Sequence, residues 1–155
     1  MQGRFAHTPA PRESMGSSPS KALKGFNLNL ADILAEVPVT CRSQDRLVEA
    51  AKKMKEANVG ALPVLDAQGR LAGVLTDRDI VTRYVASESQ PSGPSTVESI
   101  MSRDPATIQS RESLERAFGL MVERGIRRLV VKDGEAVRGI LSLGNLLGAC
   151  GIARI

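Results

Sequence analysis

Aromatic side chains are nearly missing from this 155-residue chain: tryptophan is absent, and Tyr84 with Phe5, Phe26 and Phe118 make up the whole 3%. Surfaces that grip single-stranded nucleic acid stack bases on Phe, Tyr or Trp, so that class of partner is not expected. Histidine is reduced to His7, and cysteine to Cys41 and Cys150, far apart and without a CxxC spacing. Neither a disulfide framework nor a zinc site follows from two such cysteines, and a reducing cytoplasm is the expected setting. No base or metal partner stands beside either thiol, His7 is isolated, and Asp77 and Asp79 do not read as an acid/base pair. Catalysis is therefore not expected. Apolar runs stay well short of the roughly 18–20 residues that cross a bilayer, and the N-terminal stretch lacks the continuous apolar segment of a secretory signal. Membrane attachment is not expected either.

What is present is ordinary for a soluble globular protein, with 42% apolar and 25% charged residues. The length suits one compact unit or two very small ones. The formal charge of +4 is unevenly placed. Arg4, Arg12, Lys21 and Lys24 against Glu13 give residues 1–25 a net +3, leaving about +1 for all the rest. That segment is rich in Ser, Pro and Gly, and it cannot bury enough apolar surface to order itself. It reads as a flexible basic tail, either a solvated extension or a tether.

Beyond the tail the chain repeats itself. A shift of 67 residues superimposes Ile33 on Ile100, Pro38 on Pro105, Thr40 on Thr107, Leu47 on Leu114, Ala50 on Ala117, Met54 on Met121 and Leu62 on Leu129. After the turns "DAQGR" and "KDGEA" the shift is 66, and Gly73 pairs with Gly139, Thr76 with Ser142 and Asp79 with Asn145. Each copy reads as a short apolar helix, a short extended segment, a helix, two strands joined by a Gly-containing turn, and a last helix. Ser43 and Ser110 are expected to cap the middle helices, whose buried faces are Leu47, Ala50, Ala51, Met54 and Leu114, Ala117, Phe118, Met121. The chain then divides into the tail at 1–25, a first repeat at 26–85, a Ser/Pro/Gly linker at 86–95, a second repeat at 96–150 and a C-terminal tail at 151–155. A unit of about 60 residues buries little surface alone, so two sheets packed face to face by a pseudo-twofold axis are expected.

The second strand of each copy runs into one motif: "GVLTDRDIV" from Gly73 and "GILSLGNLL" from Gly139. Two readings of it are open. In one, Gly73 lets backbone approach a ligand closely, and Thr76 starts a helix whose free N–H groups favour an anion. Asp79, one turn further on, then turns a carboxylate toward the same cleft. In the other, Thr76-x-x-Asp79 is a capping box that needs no ligand. The second copy has Asn145 in place of Asp, which keeps an acceptor oxygen and loses the charge.

Two such motifs in register, with the same elements before each, make the chain resemble a tandem pair of CBS domains, named after cystathionine β-synthase, over roughly residues 28–148. The resemblance implies an α+β fold of two βαββα repeats packed through their sheets by pseudo-twofold symmetry, with two related clefts. It implies a non-catalytic regulatory module that requires no cofactor. The clefts would bind an adenosine-containing ligand (AMP, ADP, ATP, S-adenosylmethionine or NAD), and the signal would pass to a regulated protein on another chain. A homodimer is the implied assembly, and a scaffold with vestigial ligand sites is the alternative. In the family the residue matching Asp79 holds ribose, and the one matching Thr76 lies beside ribose and phosphate; Ser142 and Asn145 occupy those positions in the second copy. The resemblance puts adenine between aliphatic side chains, with Thr40, Val59 and Ala61 as candidates in the first cleft and Thr107 and Ile126 in the second. Arg127 and Arg128 match a segment where the family often meets phosphate; the alternative for them is exposed strand residues or pairs with nearby acids.

Overall fold

A computed structural model of the chain describes residues 29–34, 37–87 and 95–151. The expected basic tail, most of the linker and residues 152–155 lie outside them. In the first repeat a single 3-10 turn, Leu30–Ile33, precedes β1 (Cys41–Arg42), α1 (Leu47–Ala57), β2 (Ala61–Leu65), β3 (Leu71–Thr76) and α2 (Asp77–Asp79), which continues as a π-type turn over Ile80–Val85. In the second, a 3-10 turn at Val97–Ser99 precedes β4 (Ser102–Arg103), β5 (Thr107–Gln109), α3 (Leu114–Arg124), β6 (Arg128–Asp133), β7 (Ala136–Ser142) and α4 (Leu143–Ala149). The sheets run β1-β2-β3-β4 and β5-β6-β7, with the first pair of each βαββ unit parallel and the hairpin antiparallel. This is the expected α+β architecture, and even its irregularities repeat: the hairpin register slips at Val64/Leu65 and at Val131/Lys132.

Local chemistry explains where the middle helices stop and start. Asn58 and Gly125 end α1 and α3 in the left-handed conformation at φ 52 and 62, which lets their N–H groups reach back to the last turn. Ser113, not Ser110, caps α3 by accepting from the Arg116 N–H, and α1 begins at Arg46 with no side-chain cap. The expected caps at Ser43 and Ser110 are thus three residues early. Their N–H groups instead extend the parallel ladders, to the carbonyls of Leu65 and Lys132 at 2.9 and 2.8 Å.

Strand alternation sends one face of each sheet to the helices and the other to the opposite sheet. Leu62, Val64 and Leu75 fill the first core with Leu47, Ala50 and Met54, and Leu129, Val131 and Leu141 fill the second with Leu114, Ala117 and Met121. Each fully buried leucine contributes roughly 1.5–3 kcal/mol. The opening turns are exchanged. Leu30 and Ile33, which precede the first repeat, pack into the second core, while Val97, Ile100 and Met101 pack into the first. Isolated bridges fix the exchange symmetrically, Asn29 to Ser113 and Thr96 to Arg46. Sequence order groups each opening turn with the repeat that follows it; each instead covers the other core, because both cores offer the same apolar shape.

Candidate functional site

The faces turned away from the helices meet where β2 lies against β7, and two clefts open there. One, of about 280 Å³, joins Val59, Gly60, Ala61 and Pro63 of the first repeat to Arg128, Arg138, Ser142 and Asn145 of the second. The other, of about 270 Å³, joins Val74 and Thr76 of the first repeat to Ile126, Arg127, Arg128 and Ile140 of the second. Each cleft therefore pairs the motif of one repeat with the strand entrance of the other. The sequence-based pairing, Val59 and Ala61 with Thr76 in one cleft and Ile126 with the second motif in the other, is corrected by this crossing. Ala61 does pair with Thr76 along the first hairpin, but the cavities lie between the two sheets, where β2 faces β7 of the other repeat.

Among the candidate residues, Val59, Ala61, Arg128, Ser142 and Asn145 come together in the Asn145 cleft, and Thr76, Ile126, Arg127 and Arg128 in the Thr76 cleft. Thr40 lines neither, and its carbonyl accepts from Lys53 Nζ at 3.4 Å. Thr107 lies in a separate depression with Gln109, Glu112 and Arg116. Asp79 is buried and also lines neither cleft.

Both motifs are closed capping boxes. Thr76 Oγ1 accepts from the Asp79 N–H at 3.0 Å and donates to Asp79 Oδ2 at 2.7 Å, and the same carboxylate oxygen accepts from the Thr76 N–H at 3.0 Å. Asp79 Oδ1 meets Arg83 Nε at 3.4 Å. Arg83 in turn donates to the Ile100 carbonyl at 2.9 Å and to Ser102, which lines the Thr76 cleft. Ser142 and Asn145 form the same box without a charge. The N–H groups expected to attract an anion at the start of α2 are already used: Asp77 N–H bonds the Gly60 carbonyl, Arg78 N–H the Asp77 side chain, and Asp79 N–H Thr76.

Gly73 has a reason other than a ligand. A Cβ there would stand 2.5 Å from the Ser102 carbonyl oxygen, so its bareness admits β4, with which it pairs. Gly139 has φ +144, a conformation that side chains disfavour.

Arginine supplies the cleft's electrostatics. Among the described residues, the side chains of Arg127, Arg128 and Arg138 form no ion pair and no hydrogen bond within the chain. Both Arg127 and Arg128 reach the Thr76 cleft, although neighbouring strand residues face opposite ways; Arg127 precedes β6, where the alternation has not begun. Arg138 was not among the sequence candidates. It falls at the slip in the hairpin ladder, between Gly139 and Val137 and without a ladder partner, where strand alternation is interrupted and spacing could not place it. Burial pushes the Cys41 thiol up to about 11 and also raises that of Cys150, so neither is a ready nucleophile. Among the described residues no cluster of three His, Cys, Asp or Glu side chains could hold a metal ion.

A family model described as CBS domain matches twice, over residues 30–86 and 97–151. The CBS domain-containing protein YhcV of Bacillus subtilis is 38% identical over 118 residues, 76% of this chain and 82% of that one. A putative signal-transduction protein with CBS domains from Burkholderia ambifaria superimposes with a TM-score of 0.69 at 29% identity, covering 83% of this chain and 98% of that one. The CBS domain pair of protein MJ0100, in complex with 5′-methylthioadenosine and S-adenosyl-L-methionine, gives 0.69 at 29% identity over 80% and 96%.

Proposed function

The chain belongs to the CBS-domain family and carries a pair of these domains, and from that premise we propose that it binds an adenosine-containing ligand between its repeats. Candidates are AMP, ADP, ATP, S-adenosylmethionine and NAD. The observation that carries the reading is the Asn145 cleft, where apolar Val59 and Ala61 face Ser142, Asn145 and two arginines across one cavity. A surface that is apolar at one end and cationic at the other suits a base joined to an anionic group. Val59 and Ala61 take the adenine, Asn145 and Ser142 the ribose hydroxyls, and Arg128 with Arg138 the anion. In the Thr76 cleft Ile126, Thr76 and Arg127 have the corresponding roles, and Asp79 accepts from ribose on giving up Arg83. Similarity to a domain pair solved with two adenosine compounds supports this assignment.

The module is non-catalytic on this reading, and occupancy is passed to a regulated protein in the cytoplasm. Among the described residues no helix is long and apolar enough to cross a membrane. A homodimer is the proposed assembly, with exposed Val48 of α1 and Val122 of α3 as apolar surface for it.

One observation favours a second reading, a dimeric scaffold with vestigial sites: both motifs satisfy their own polar atoms. Thermal unfolding with each of the five compounds at millimolar concentration separates the two. A ligand at about 100 times its dissociation constant adds roughly 2.7 kcal/mol of stability. A concentration-dependent rise in Tm with one or more compounds is expected. No rise with any of them leaves the scaffold reading.

A further inference from the structure

The two clefts do not have separate cation sets. Arg138 lines only the Asn145 cleft and Arg127 only the Thr76 cleft, but Arg128 lines both. Arg128 opens β6 directly across the ladder from Ser142. Its Nη2 lies 3.4 Å from the point a Cβ would occupy on Gly60, and Asp77 Oδ2 lies 3.0 Å from the same point, so the guanidinium stands over a bare glycine at the seam of the sheets with one carboxylate nearby. The position that the repeat makes equivalent holds Ala61, which provides no second cation there. We propose that Arg128 couples the clefts antagonistically: an anionic ligand in either one draws the shared guanidinium to itself and leaves the other with a single arginine. This rests on the ligand-binding reading above and adds its regulation.

The physics is a competition for one fork of donors. A guanidinium committed to one phosphate has its planar fork fixed, and it cannot turn to a second on the opposite side. A lost charge-assisted bond amounts to about a tenfold weaker affinity or more. Ligands without an anionic group gain nothing from Arg128, so they bind the two clefts without this penalty.

Calorimetric titration of the full chain with AMP, and with adenosine as the phosphate-free control, tests the coupling. The clefts differ in lining, so the control sets their intrinsic ratio. The ratio of the two AMP dissociation constants is expected to exceed the ratio for adenosine by about tenfold or more. Arg128→Met is expected to bring the AMP ratio down to the adenosine ratio, while Arg138→Met and Arg127→Met each weaken mainly one step. Equal ratios for the two compounds in the wild type overturn the coupling and leave the ligand reading standing. So does an AMP separation that persists in Arg128→Met, or a single AMP site that stays single in that variant. Absence of binding by both compounds overturns the ligand reading and the coupling together. Circular dichroism and Tm establish that each variant is folded.

Discussion

Leu62, Val64 and Leu75 in the first repeat correspond to Leu129, Val131 and Leu141 in the second, the same residue each time, and all six face the helices. Away from the helices the same strands diverge: Ala61 stands where Arg128 does and Pro63 where Val130 does, and only the hydroxyls of Thr76 and Ser142 keep a common role. The helix-facing positions sit in close-packed cores where a change of one methylene is felt, so two copies of one fold need the same side chains there. The cleft-facing positions are free to differ, and they put the arginines on the second repeat. The lesson is that one sheet face specifies the fold and the other specifies what the clefts take.

The largest effect should come from cutting the equivalent cores. Leu75→Ala and Leu141→Ala remove fully buried side chains, and each is expected to cost about 2–5 kcal/mol in chemical denaturation. A cost confined to one repeat would break the equivalence of the cores. Next is the cleft face. Arg138→Met should weaken AMP by about 1.5–3 kcal/mol and adenosine far less, read by calorimetry; equal losses for the two compounds would assign Arg138 to packing instead. Smaller again is the helix start. Ser113→Ala should cost about 1 kcal/mol, and Arg46→Ser should gain no more than that by supplying the cap that α1 lacks, both measured as urea midpoints.

The smallest expected difference is in acid. Burial pushes the Asp45 carboxyl up, but the Arg42 N–H and the Lys53 ammonium outweigh it and hold the group below its ordinary 3.8. The stabilisation is complete above that value and is lost as pH falls through the lower folded value. The second repeat has Glu112 and Leu120 at the equivalent positions, with no such pair. Asp45→Asn should therefore reduce stability near neutral pH and flatten its decline below pH 4, followed by fluorescence-detected thermal shift. An unchanged acid slope would show that the Asp45–Lys53 contact is screened away by solvent.

Much of the architecture was legible from spacing. The shift of 67 residues, falling to 66 after the hairpin turn, matched α1 with α3 and one hairpin with the other. Capping boxes at Thr76 and Ser142 were one of two open readings, and their geometry is present. Less of the site could be read. The caps at Ser43 and Ser110 fell three residues early because a turn closed by Arg42 and Asp45 intervenes before α1. Gly73 looked like a door for a ligand, and it admits a strand whose approach no local pattern announces. Thr40 and Thr107 share the period of the repeat without facing either cleft.

Periodicity, turn chemistry and internal repetition are local properties, carried by residues a few positions apart, and they were enough to set two βαββα units with apolar helix-facing sides. Which opening turn fills which core, and which motif meets which strand entrance, depend on contacts between segments tens of residues apart. Two nearly equivalent copies make those choices interchangeable to any reading of pattern, since either core accepts either turn. The assembled chain removes that degeneracy by packing the sheets about the pseudo-twofold axis, which crosses the two motifs and leaves Arg128 between them.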